Sequence, residues 1–217
     1  MRSTGEVQIR DLTARARIRD AAIARFAADG FSASLRVIAA DAGVSAGLVV
    51  HYFESKSGLR AVCDEQVLRT VREAKTATLV TATPGLLLAQ MAAVQEYASV
   101  AGYLVRALQS GGDLAATFLD RMIEDARDYL AQATETGRVR ESRDPAARAR
   151  FLAYSGLGAF LVYLQRYATP GSDLGEVLRA YTQESALPAL ELYSEGLFTT
   201  TDLLQDYLRG GPAAPEK

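Results

Sequence analysis

The chain has one cysteine, Cys63, and one histidine, His51, in 217 residues. A lone thiol closes no internal disulfide, and the pair cannot supply the repeated Cys/His ligands of a zinc site. Long apolar runs are also missing. The longest uncharged apolar stretch in the C-terminal half, residues 151–164, is fourteen residues, whereas a membrane-spanning helix needs about twenty. It is expected to be a buried helix, and no membrane partner is expected. The first twenty residues lack the apolar core of a signal peptide. Together these absences suit a reducing cytoplasm. Catalytic groupings are missing too: there is no phosphate-loop pattern and no HExxH, and Cys63 and His51 stand twelve apart. No enzyme activity, cofactor or metal is therefore expected.

What is present is ordinary for a globular protein, with 49% apolar and 23% charged residues. The net charge of -2 is unevenly placed. Residues 1–60 hold nine Lys/Arg and six Asp/Glu, a balance of +3, and the remainder balances at -5. A basic N-terminal part on an acidic body fits a DNA-reading head joined to a part with another task.

The most informative stretch is SLRVIAADAGVSAGLVVHYF, from Ser34 to Phe53. Ser34 is a good N-cap, and Leu35, Ile38 and Ala39 fall on one helical face. Gly43 can adopt a left-handed backbone and end that helix. Ser45 then caps a second helix, in which Val49 and Phe53 share a face. The small Ala39 lets two helices approach, Gly43 makes the turn, and Val49 docks the second helix on the first. That is the pattern of a helix-turn-helix.

The rest of the chain is all-α by pattern. Residues 1–12 are expected to be a flexible arm in which Arg2 and Arg10 could reach DNA phosphate. A helix over 13–29 has Ile18, Ala22 and Phe26 as its buried stripe. A long connecting helix follows over about 55–81, with a breaker at Thr83-Pro84-Gly85. Body helices are expected over 86–100, 103–109, 113–136, 144–167, 174–194 (bent near Pro188) and 202–208. Asp144 followed by Pro145 is a helix start, and Thr169-Pro170-Gly171 is a stop. The tail after residue 208 is expected to fray. The resulting layout is a DNA-binding domain over 1–60 and a helical body over 61–217.

Gly30-Phe31, Ile38-Ala39, Ala42-Gly43-Val44-Ser45, Gly47, Phe53 and Ser55-Lys56 together resemble the DNA-binding domain of tetracycline-repressor-like (TetR) transcriptional regulators. The likeness is specific over about 13–62 and architectural over the body. It implies an N-terminal three-helix head joined by a long helix to a helical ligand-binding and dimerisation domain. It further implies a homodimer on double-stranded DNA at a palindromic operator, released by a lipophilic small-molecule effector that moves the connecting helix. The segment LPALELYSEGLF is similar to actinobacterial regulators of multidrug efflux pumps. The alternative is a dimeric regulator with no small-molecule ligand, responding to a protein partner.

Carried over position by position, the resemblance makes Ser34, Arg36, Ser45, Ala46, Gly47, Leu48, His51, Tyr52 and Lys56 the candidate DNA contacts. Ser34 and Arg36 open the first helix, where phosphate suits a helix N-terminus. Ser45, Ala46, Gly47 and Leu48 lead the second helix into the major groove. The sequence departs from the family here. Ala46 stands where lysine or another polar residue is common, Leu48 where threonine or asparagine is common, and Val50 where a phosphate-binding tyrosine is common. His51 replaces a second aromatic, and Tyr52 a histidine. Thymine methyls or DNA shape must then carry more of the specificity. Lys56 matches the family in position and charge.

In the body, Tyr97, Tyr103, Phe118, Met122, Tyr129, Tyr154 and Tyr163 are candidates for an adaptable pocket taking flat lipophilic compounds. Glu124 and Asp128 near this set would favour a cationic ligand. Phe151, Ser155, Gly158, Ala159 and Val162 are candidates for the dimer interface, small residues allowing close approach and large ones adding apolar area.

Overall fold

A computed structural model describes residues 4–81, 83–169 and 171–210. Arg2 and the tail 211–217 lie outside these residues, as does the side chain of Arg10. Among the described residues the chain is helical without strands. The order is α1 (Thr4–Asp29), α2 (Leu35–Asp41), α3 (Ala46–Phe53), α4 (Lys56–Leu79) and α5 (Pro84–Ala92). A short 3-10 turn over Val94–Tyr97 follows, then α6 (Ala98–Gln109), α7 (Gly112–Glu135), α8 (Pro145–Tyr167), α9 (Leu174–Ser194) and α10 (Asp202–Gly210). No single helix among them is long and apolar enough to cross a membrane.

Two expectations are corrected. Helix α1 begins at Thr4, so residues 4–12 are not an arm. No proline interrupts the run from Glu6 to Asp29, and the helix simply extends N-terminally. The break expected between Val100 and Tyr103 is also absent, because Gly102 lies inside α6. A Cβ there would meet Ala27 Cβ at 2.9 Å and Leu174 Cδ2 at 2.8 Å. The glycine serves close approach of α1 and α9 to α6, not a turn.

Ile18, Ala22 and Phe26 are fully buried on α1, as their four-residue spacing predicts. They join Ile38 and Ala39 of α2, Val49 and Phe53 of α3, and Leu59, Cys63 and Val67 of α4 in one cluster. Tyr103, Ala107 and Phe118 from α6 and α7 belong to the same cluster. Head and body therefore share a core. Replacing Phe26 by alanine within it would cost about 3–5 kcal/mol. A second cluster of Ala126, Leu130 and Ala149 joins α7 to α8, with Leu79 from the end of α4 packed against it.

Candidate nucleic-acid interface

Three serines set the helix starts of the head. Ser34 Oγ accepts from Val37 N at 3.3 Å, Ser45 Oγ from Leu48 N at 3.2 Å, and Ser55 Oγ from Gly58 N at 3.0 Å. Each satisfies a backbone donor that a helix N-terminus leaves without a partner. Gly43 turns the chain at φ +64°, and α2 and α3 bend through 106°. That angle lies within the range of DNA-binding helix-turn-helix units. Val49 and Phe53 anchor α3 to the core, which fixes the face it turns outward.

That outward face holds Ser45, Ala46, Gly47, Val50 and His51, all exposed, with Leu48 and Tyr52 half-buried. Tyr52 packs against the head core and stands beside both His51 and Phe53, with ring centroids 5.4 and 6.3 Å away. At Gly47 an added Cβ would meet nothing closer than Ser45 Oγ at 3.9 Å. The protein itself does not require glycine there, so the opening faces outward. Arg36 is exposed at the start of α2, and Lys56 is half-buried in the first turn of α4. Ser34, Ser45 and Ser55 use their hydroxyls as caps at the starts of α2, α3 and α4.

Two head residues escaped the sequence reading. Glu54 is the only non-glycine residue with positive φ among the described residues, at +63°. It forms a tight turn in which Ser55 N donates to Phe53 O at 2.6 Å. Gly58 lies in the first turn of α4, where a Cβ would fall 2.2 Å from Phe53 O. A glycine in the first turn of a helix, where alanine would be better for propensity, is the signal that could have found it. The two residues set the corner between α3 and α4.

Arg25 clamps α1 to α2. Its guanidinium donates to both oxygens of Asp41 at 2.7 and 2.9 Å and to Asp29 at 3.0 Å. The arginine lowers the Asp41 carboxyl pKa from its usual 3.8. A carboxylate close to the outward helices is thereby neutralised by the protein's own cation.

The head–body junction is polar at its edge. Arg106 of α6 donates to Ala27 O at 3.3 Å and Ala28 O at 2.9 Å, satisfying carbonyls at the end of α1. Tyr103 donates to Asp64 at 2.6 Å, and Arg60 stacks over Phe31 at 3.7 Å from the ring centroid. Cys63 is sealed below, its pKa pushed up to about 12 chiefly by desolvation, and its thiol donates to Arg19 O at 3.7 Å.

The structure does not gather the seven candidate ligand residues. Tyr103 and Phe118 are buried in the core that joins head to body, with Met122 packed on it. Packing between α1, α4, α6 and α7 engages these three side chains. Tyr129 packs on Ala126, Leu130 and Ala149, and Tyr97 is half-buried in the 3-10 turn. Tyr163 lies 4.5 Å from Tyr167 and 5.2 Å from Tyr181, ring to ring. Tyr154 is exposed. Glu124 and Asp128 border a cleft of about 500 Å³ with Arg127, Ala131 and Pro145, open on the outer side.

The candidate dimer residues lie on the surface of the single chain. Phe151 and Val162 are 65% and 68% exposed, Ala159 is exposed, and Ser155 and Gly158 are half-buried. Leu187 and Tyr193 of α9 are exposed as well, as are Leu203, Leu204, Tyr207 and Leu208 of α10. So large an apolar area marks an interaction surface.

A capped helix pair at this angle, built into a helical head and body, defines a helix-turn-helix DNA-binding protein. Residues 18–63 match the family model for bacterial regulatory proteins of the tetR family. Residues 95–199 match the model for a tetracyclin repressor-like C-terminal domain. The chain is 49% identical over 198 residues to the HTH-type transcriptional regulatory protein RaaS of Mycobacterium tuberculosis, covering 91% of this chain and 93% of that protein. The chain belongs to the tetR family of transcriptional regulators. Two solved structures share the fold. One, concerned with control of antibiotic production by bacterial hormones, has a TM-score of 0.58 at 24% identity, covering 84% of this chain and 96% of its own. Salmonella enterica GusR has a TM-score of 0.51 at 21% identity, covering 79% and 95%.

Proposed function

We propose that this regulator is a homodimeric repressor that holds a palindromic operator until a small lipophilic molecule enters the body. The observation that carries this reading is the single core shared by head and body. A shift of α6 moves Tyr103 and Arg106, a shift of α7 moves Phe118, and through the shared core either reaches α1 and α3. A ligand achieves release only by favouring the body arrangement in which the heads no longer fit their grooves.

On the DNA, Ala46, Gly47 and Leu48 lie against base edges and thymine methyls. Arg36, His51, Tyr52 and Lys56 serve phosphate, together with the N-termini capped by Ser34 and Ser45. The exposed stripe Phe151, Ser155, Gly158, Ala159 and Val162 meets its own copy across a two-fold axis, where an isologous surface is self-complementary. Control of a drug efflux pump rests on the likeness of LPALELYSEGLF to regulators of that kind. The protein works in the cytoplasm, where the DNA is.

Val162→Glu tests the dimer. The variant should sediment as a helical monomer and lose operator binding by at least about a hundredfold, because one head makes only half the contacts. A variant that stayed dimeric would place the interface elsewhere.

A further inference from the structure

Every residue from 191 to 210 is exposed, so its own chain leaves α10 uncovered. Four of the nine residues in that helix are large and apolar: Leu203, Leu204, Tyr207 and Leu208. At about 100° per residue they fill about 140° of the helix surface, and Asp202, Gln205, Asp206 and Arg209 take the opposite side. A helix this short is marginal in water by itself, and a face divided in this way calls for a surface to lie on.

A second copy of the chain is the occupant that the surface favours. The α8 stripe supplies five residues, three of them small, whereas a stable interface takes about twenty residues and about 800 Å² from each partner. More apolar surface must join it. Exposed Leu187, Leu190 and Tyr193 lie on α9, which turns back on α8 with its Tyr181 ring 5.2 Å from those of Phe160 and Tyr163. Counted from that contact along the two helices, Tyr193 comes to about the level of Phe151. The arm therefore leaves the body where the α8 stripe begins, and residues 195–201 can carry it up to about 24 Å further. A lipid surface fits less well. The polar side of α10 holds two aspartates and one arginine, whereas helices that lie on anionic lipid are rich in Lys and Arg there.

We propose that α10 is an exchanged arm: its apolar face packs on the second copy beside the two-fold α8 contact, so that each chain clasps the other. This rests on the reading that the chain is a homodimer, and it adds a part of the interface outside the α8 stripe. The arm also lies past residue 199, where the match to the C-terminal domain ends.

The chain has no tryptophan, so Tyr207→Trp puts a single indole on the apolar face of the arm in the full-length protein. Its emission is read while sedimentation reports the dimer, and the monomer is reached by dilution or by adding Val162→Glu. Emission should be blue-shifted in the dimer and move to that of solvent-exposed tryptophan in the monomer. Leu204→Asp in the otherwise wild-type chain should raise the dimer dissociation constant about tenfold or more, since two copies of the contact are lost, with the helix content of the monomer unchanged. Solvent-exposed emission in the dimer, blue-shifted emission in the monomer, or an unchanged dissociation constant in Leu204→Asp overturns the exchanged arm while the dimer stands. A blue shift that appears only with anionic lipid vesicles overturns it in favour of a membrane surface. A wild-type chain that sediments as a monomer sinks both the arm and the homodimer.

Discussion

The Tyr103 hydroxyl donates a 2.6 Å hydrogen bond to Asp64, joining α6 of the body to α4 beneath the head. Tyr103 is fully buried, and its ring stands 6.2 Å from Phe26 and 5.2 Å from Phe31. One side chain therefore touches α1, the turn after it and the connecting helix. Tyr103→Phe keeps the ring and removes the bond. Chemical denaturation should show a loss of about 2 kcal/mol, the scale of a hydrogen bond to a charged group.

The same contact has a pH signature. Desolvation raises the Asp64 carboxyl above its ordinary 3.8, against the opposing pull of the Tyr103 hydroxyl, Arg60 and Arg121. A raised folded pKa means that the folded state holds this proton more tightly. Its favourable contribution is complete below about 3.8 and is lost as pH rises through the raised value. Asp64→Asn cannot titrate. Measured by urea unfolding, the stability of the variant relative to wild type should therefore rise between about pH 4 and pH 7.

Gly47 separates folding from recognition. Alanine there meets only Ser45 Oγ, in ordinary van der Waals contact at 3.9 Å, and it should raise helix stability by about 0.5–1 kcal/mol. The added methyl projects from the face given to DNA. The expected outcome is a higher melting temperature together with weaker operator binding, read by calorimetry and by a band-shift titration. Unchanged operator affinity would mean that α3 meets DNA with another face.

Glu54 holds a backbone conformation that side chains rarely adopt, at φ +63°. Glu54→Gly relieves about 1 kcal/mol of strain or more and removes a negative charge two residues before Lys56. Both melting temperature and affinity for non-specific DNA should increase. A fall in stability would show that the turn is not strained.

The head was legible because its signals are local. Serine caps, Gly43 at the turn, and apolar residues spaced by four all act within one or two helical turns. Ser34, Ser45 and Val49 consequently stand where their spacing put them. The body was legible as helices but not as a site. Gly102 looks like a breaker until Ala27 and Leu174 are seen against it. Tyr103 and Phe118 look like pocket aromatics until the head is found packed on them. Each of these depends on tertiary neighbours that periodicity does not encode.

The central claim is that α3 of two copies reads a palindrome. Fluorescence anisotropy with a labelled duplex carrying the palindrome nearest the gene, set against a scrambled duplex at the same salt, measures this directly. The account predicts two chains bound per palindrome, with affinity at least about a thousandfold above that for the scrambled sequence. Equal affinity for the two duplexes would contradict it.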